Sequence, residues 1–259
     1  MAKKPRNPSA DRPPTPPALP LRPLNKNQGK YLAAMETDQQ VIVLGPAGTG
    51  KTFIAATAAA DGLLSGRYER IVLTRPNVPG GSGISLGAFP GNKDEKMANW
   101  VQPVISRLKA RMGPAAYDAA LRRGAIEVVP FETMRGASWE QAFILLDEAQ
   151  NATYPDIKMF LTRIGQGSKV VINGDVSQSD LGAGPYDGLS IALHLALRYS
   201  VRNLIVVEFG IADIVRSEAC AEWVKAFHQF ERGCRAEAPP PSARGELDEW
   251  VPDREALPN

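Results

Sequence analysis

Cysteine and histidine are scarce, with two of each in 259 residues. Cys220 and Cys234 have no further thiols to join them in a zinc ribbon or a disulfide framework, so a reducing cytoplasm is the expected setting. His194 and His228 fall in helical-looking stretches with no ligand partner at metal spacing and read as ordinary helix residues. No apolar run reaches the roughly 20 residues of a membrane helix. The proline-crowded N-terminus also lacks the apolar core of a signal peptide, so no membrane association is expected. Charge of one sign is missing too. The net charge is +2, with +4 in residues 1–23 and −2 in residues 232–259, which leaves 24–231 neutral. That excludes a broad basic face for duplex DNA and leaves room for a narrow basic channel. There is no internal repeat.

Hydrophobic residues make up 44% of the chain, enough for a real core, and the length suits one α/β domain with appendages or two small domains. Residues 1–23 hold eight prolines and should form a disordered basic tail, since such a stretch buries too little surface to offset its ordering entropy. Residues 232–259, with Pro239-Pro240-Pro241, read as a second disordered tail. The domain expected between them covers 24–231.

Within it, Gly45-Pro46-Ala47-Gly48-Thr49-Gly50-Lys51-Thr52 satisfies every specified position of the phosphate-binding pattern G-x-x-x-x-G-K-[ST]. Val41–Leu44 before it reads as a buried strand, and the alanine-rich stretch from Phe53 to Ala60 reads as a helix. In that setting the glycines turn backbone N–H groups inward as an anion nest, and the helix adds its positive end. Lys51 would reach the β- and γ-phosphates, and the Thr52 hydroxyl would hold Mg²⁺. Residues Ala142–Leu146 form an apolar strand that ends in Asp147 and Glu148, the expected form of a Walker B element. Asp147 would bind Mg²⁺ through its water shell, and Glu148 would orient or deprotonate the attacking water.

The remaining pattern alternates strands with helices. Strands are expected at 70–75, 125–129, 169–173 and 204–207. Helices are expected around Tyr31–Met35, from Asp94 to Met112 with a kink or restart at Pro103, from Pro114 to Arg123, and from Asp187 to Arg198. A last helix is expected from Asp213 to about Phe230, with Arg216 in its first turn. Helices near 94–123 form an insertion. Glycines between 80 and 87 make a loop too irregular for a dinucleotide fingerprint, and Trp100 reads by default as a core residue. Gly174-Asp175-Val176-Ser177-Gln178 puts a polar cluster at a strand's C-terminal end, where open α/β sheets hold ligands, and Gln178 could sense the γ-phosphate or the lytic water. Gln28, ahead of the first strand, offers an amide able to read an adenine edge. The expected architecture is a doubly wound, mainly parallel sheet of five or six strands with helices on both faces.

Taken together, GPAGTGKT (45–52), LTRPNVPGG (73–81), IEVVPFETMRG (126–136), FILLDEAQNAT (143–153), KMFLTRIGQGSKVVINGD (158–175) and DIVR (213–216) resemble the PhoH-like ATPase family, itself similar to the first motor domain of superfamily 1 helicases. The resemblance covers most of residues 24–216. It implies a single RecA-like domain, ATP hydrolysis with Mg²⁺, action on RNA or single-stranded DNA, and an association with phosphate starvation. LNKNQ looks like the helicase Q-motif, which would put Gln28 on adenine. GDVSQ looks like motif III, which gives Gln178 the γ-phosphate. DIVR looks like the arginine that stabilises transferring charge, here Arg216, with Arg163 and Arg135 as second choices. Two departures remove positive charge: Ala137 follows Met134-Arg135-Gly136, and Ser217-Glu218-Ala219 follows DIVR.

A superfamily 1 motor uses two RecA domains, and this chain has room for one, so a working motor implies a homo-oligomer such as a hexameric ring. Two other readings stay open. A P-loop nucleoside kinase would share the Asp147-Glu148-Ala149-Gln150 segment, although the two cysteines cannot supply the zinc module usual in such enzymes. A slow nucleotide-gated switch would bind ATP tightly and turn it over little.

Overall fold

The computed structural model describes residues 19–76, 101–176 and 187–237. They fall into two compact units, one ending at Val215 and one beginning at Arg216. The loop at 80–87, Trp100, Gln178 and both distal tails lie outside the described residues.

The first unit is built on six strands: β1 (Gln40–Leu44), β2 (Arg70–Thr74), β3 (Ile126–Val128), β4 (Ala142–Leu146), β5 (Lys169–Gly174) and β6 (Leu204–Glu208). They form one sheet in the order β3-β2-β4-β5-β1-β6, and every adjacent pair is parallel. A parallel sheet has to be covered on both faces, and the side-chain alternation divides this one cleanly. Val41, Val43, Ile71, Leu73, Phe143, Leu145 and Val171 point into one core. It also takes residues from α1 (Lys26–Thr37), α2 (Lys51–Leu64), α3 (Gln102–Met112) and α4 (Pro114–Arg122). Ile42, Leu44, Val72, Ile144, Leu146, Val170 and Ile172 point into the opposite core, with α5 (Tyr154–Leu161) and α6 (Gly188–Arg198).

Local sequence explains most helix boundaries. Asn25 caps α1 by accepting from the Gln28 backbone N–H at 2.8 Å, and Asp187 caps α6 through Leu189 at 3.0 Å. Thr153 and Asp156 form a reciprocal capping box at the start of α5, a signal readable in Thr153-Tyr154-Pro155-Asp156. Pro103 and Pro114 stand in the first turns of α3 and α4, where a missing N–H costs nothing. Helix α3 is fastened to α2 at two points. Arg111 forks onto Asp61 at 2.6 and 2.7 Å, and the Arg107 guanidinium lies 4.0 Å from the Phe53 ring centre. Arg111 also donates to the Leu19 carbonyl at 2.6 Å, so Leu19 already lies against this face.

The second unit contains α7 (Glu218–Glu237), with Trp223 stacked on Phe227 at 5.8 Å. The expected start at Asp213 is corrected here. Residues Ile211–Asp213 form a separate 3₁₀ turn in the first unit, its Asp213 carboxylate accepting from the Gly210 N–H at 2.8 Å. Helix α7 opens instead with an acid, Glu218, in its first turn, as the helix dipole favours. Arg216 therefore precedes the helix, and no anomaly of helix chemistry singles it out. The helix also runs beyond residue 231, to Glu237.

Lys169 was legible only as the first residue of a strand, yet it is 5% exposed. Its ammonium donates to the carbonyls of Ala34, Met35 and Asp38, which gathers the C-terminal end of α1 onto β5. Burial, reinforced by the charge of Arg67, pulls its pKa down to about 8, against about 10.4 for a free lysine. The unfolded chain thus holds this proton more tightly, and the group's contribution to stability rises as pH climbs from about 8 towards 10.4. Lys169→Met is expected to cost about 2 kcal/mol in denaturant unfolding. The gap from wild type should be constant below pH 8 and widen above it.

Candidate phosphate and metal site

The C-terminal ends of β1, β4 and β5 converge on one polar centre. Loop residues 45–50 join β1 to α2, and Gly45, Gly48 and Gly50 all have positive φ, at 138°, 87° and 92°. At two of them an added side chain would also crowd a neighbour. A Cβ on Gly45 would come within 2.5 Å of the Phe209 carbonyl oxygen, and one on Gly50 within 3.1 Å of Gln28 Nε2. Other segments tie the loop from outside. Val215 donates its N–H to the Gly48 carbonyl at 2.9 Å, and Gln28 donates its amide to the Thr49 carbonyl at 3.0 Å. The Lys51 ammonium lies on the loop's own carbonyls, at Gly45 and, at 3.0 Å, Pro46. Burial pulls its pKa down, and Asp175, Glu148 and Asp147 push it back up.

Asp147 follows β4 and is 6% exposed. Thr52 Oγ1 lies 2.9 Å from its Oδ1 and 3.2 Å from its Oδ2. Burial, with Glu148 beside it, raises the Asp147 pKa, while hydrogen bonds from Asn173 and Thr52 and the charge of Arg75 oppose the rise. Glu148 has left-handed backbone angles, φ 56° and ψ 42°, uncommon for a residue with a side chain and typical of functional sites. Gln150, itself buried, donates to Glu148 Oε2 at 2.7 Å and accepts from the Asp175 N–H at 3.1 Å. It thus links the ends of β4 and β5.

The structure brings together Lys51, Thr52, Asp147 and Glu148 from the sequence-derived set. Gln28 is beside the loop, but both ends of its amide are occupied, since its Oε1 accepts from the Leu24 N–H at 2.8 Å. A contact with adenine would have to use the second N–H or the second oxygen lone pair of an amide that is already engaged at both ends and 4% exposed. Gln178 lies outside the described residues, and Arg216 belongs to the second unit. Arg135 is exposed and Arg163 half-buried. Sequence reasoning missed Gln150 and Asn173 as members of the site. Their one signal was polarity at the C-terminal end of apolar strands.

Thr52 and Asp147 fit a magnesium ion. They are hard oxygen donors, already in contact, beside an anion nest, and Mg²⁺ needs only one or two protein oxygens when phosphates and water supply the rest. No cluster of three acidic, histidine or cysteine residues able to cage a metal without such help occurs among the described residues.

A parallel sheet with a phosphate loop after β1 and an acidic pair after β4, the two strands separated by β5, defines a P-loop NTPase with a RecA-like core. The family model described as PhoH-like protein matches residues 20–228, and the chain belongs to that family. A PhoH-like protein of Bacillus subtilis is 39% identical over 207 residues, covering 80% of this chain and 64% of that protein. Protein PhoH of Escherichia coli K12 is 40% identical over 211 residues, covering 80% and 58%. The chain thus spans about three fifths of the length of these relatives. Among solved structures, the large terminase of a thermophilic bacteriophage shares the fold, with TM-score 0.51 and 16% identity, covering 80% of this chain and 50% of that one. No described helix is long and apolar enough to cross a membrane.

Gly45→Ala should lower stability by about 2–4 kcal/mol, combining overlap with Phe209 and backbone strain. Gly66 is also left-handed, at φ 73°, but a Cβ there meets nothing within 4 Å, so Gly66→Ala should cost only about 1–2 kcal/mol. Thermal or denaturant unfolding of the two variants side by side checks the difference.

Proposed function

We propose that the chain is a Mg²⁺-dependent ATPase that works as a homo-oligomer on RNA or single-stranded DNA. The observation that carries the ATPase reading is the Thr52–Asp147 hydrogen bond at 2.9 Å beside the nest and Lys51. It joins a cation-binding pair to a phosphate cradle and a positive charge within one site.

In this reading the triphosphate takes the loop's N–H groups, and Lys51 leaves the Gly45 and Pro46 carbonyls for the β- and γ-phosphates. Thr52 and Asp147 would hold the Mg²⁺, which would supply positive charge to offset that of the phosphate oxygens. Glu148 orients the attacking water and accepts its proton, and Gln150 restrains the Glu148 carboxylate while that happens. Gln28 acts first as a latch between the α1 entry and the loop, and its second N–H and second oxygen lone pair are what it would offer adenine. Gln178 and Arg216 are assigned by their motifs, as γ-phosphate sensor and as the arginine that stabilises transferring charge. The role on nucleic acid and the ring rest on the family resemblance.

Lys51→Ala is expected to abolish ATP binding. Glu148→Gln should bind ATP as wild type does while losing at least about 100-fold in turnover. Phosphate release and nucleotide titration on the two variants check these roles, and normal hydrolysis by either removes its residue from the mechanism. A single-stranded oligonucleotide should stimulate the wild-type rate. A rate indifferent to every oligonucleotide would detach the nucleic-acid role from the ATPase.

A further inference from the structure

From Asp147 a line of hydrogen bonds runs back to helix α1. Asn173 is 1% exposed and turns its amide nitrogen to Asp147 Oδ1 at 3.2 Å. Its carbonyl oxygen accepts from the hydroxyl of Tyr31 at 3.3 Å, and Tyr31 has no exposed surface. The direction of the line is set at the Asp147 end. An ionised carboxylate can only accept, so Asn173 must offer it the NH₂ and is left with its carbonyl for Tyr31. The sheet makes this meeting possible. Ile172 on β5 pairs with Leu146 on β4, so the next residues, Asn173 and Asp147, leave that pair level with each other.

The geometry also separates the two carboxylate oxygens. The Asn173 amide and the shorter Thr52 contact both fall on Oδ1, at 3.2 and 2.9 Å. Oδ2 lies 3.2 Å from the Thr52 hydroxyl, whose single proton can serve only one of the two oxygens. Oδ2 therefore keeps lone pairs for a cation's water shell, provided the carboxylate does not rotate. Tyr31 is itself fixed, its ring set edge-on to Phe209 at 6.1 Å, the residue whose carbonyl closes over Gly45.

We propose that Asn173 and Tyr31 are positioning residues for the metal. Asn173 locks the rotation of the Asp147 carboxylate, and Tyr31 holds Asn173, so that Oδ2 and Thr52 face the cation carried by the nucleotide. This rests on the phosphate-site reading above and extends it to two residues outside every phosphate-binding motif. Partners that orient a metal-binding side chain are commonly worth about 10–100-fold in metal affinity, and that is the scale expected for Asn173.

The test uses Mn²⁺ as the cation and ADP as the nucleotide, with free Mn²⁺ read by electron paramagnetic resonance in solutions of the full chain saturated with ADP. Wild type, Tyr31→Phe, Asn173→Ala and the double variant are compared, together with metal-free ADP affinity and thermal midpoint. Asn173→Ala should raise the half-saturating Mn²⁺ concentration about 10-fold or more, and Tyr31→Phe should raise it by a smaller factor. The double variant should match Asn173→Ala alone, because Tyr31 acts through Asn173. Metal-free ADP affinity should be unchanged throughout. Tyr31→Phe removes one oxygen from a packed ring and carries the test even where Asn173→Ala folds poorly. Wild-type Mn²⁺ affinity in both single variants, whatever their thermal midpoints, would reduce the line to packing and overturn the proposal, as would fully additive losses. A wild-type protein that takes up no Mn²⁺ with ADP would overturn the phosphate-site reading itself.

Discussion

A carboxylate withdrawn from water has to be kept ionised by the groups around it, and Asp147 is such a carboxylate. Burial and the neighbouring Glu148 both favour its neutral form. Against them stand the Thr52 hydroxyl from α2, the Asn173 amide from β5 and the charge of Arg75 just beyond β2. These groups come from elements far apart in sequence, so the charge state of one residue depends on the whole sheet being assembled in order. Losing a donor from a buried carboxylate costs about 1–3 kcal/mol or more, comparable with the effect of a core methyl group. The site and the fold therefore draw on the same interactions.

Strand order does the assembling. With β5 between β1 and β4, the phosphate loop and the acidic pair are held one strand apart, and β5 supplies what fills the interval. Asn173 faces Asp147, and the Asp175 N–H receives Gln150, which in turn holds Glu148. On the far side of β1, β6 runs out into Phe209, and the segment that follows reaches back to Gly48 through Val215. The loop is thus gripped from both sides. Gly45 has no space for a side chain beneath the Phe209 carbonyl, and Gly50, with φ 92°, would bring one into tight contact with Gln28.

Six strands, the phosphate loop, the acidic pair and the helices opening at Pro114 and Asp187 were legible in the sequence, because each is a local pattern: an apolar run, a glycine spacing, a cap; helix α5 was not read at all. The family could be read from the order of the motifs. What stayed hidden depends on pairings the chain makes over long distances. Asn173 looks like the polar end of an ordinary strand until β4 is placed beside it, 26 residues away in sequence. Tyr31 looks like one more apolar residue on an amphipathic helix until its hydroxyl meets β5, 142 residues on. Lys169 would pass for a solvated strand end until α1 sets three carbonyls around it. The start of the last helix was misplaced because the acidic residue taken to open it, Asp213, caps a separate 3₁₀ turn instead.

The central claim is that the site formed by Lys51, Thr52 and Asp147 takes a nucleoside triphosphate together with a magnesium ion. Calorimetric titration of the wild-type protein with ATP, with and without Mg²⁺, tests it most directly. The account predicts saturable binding near one nucleotide per chain, tightened by Mg²⁺ because Thr52 and Asp147 add their oxygens to those of the phosphates. No binding under either condition, or an affinity indifferent to Mg²⁺, would contradict it.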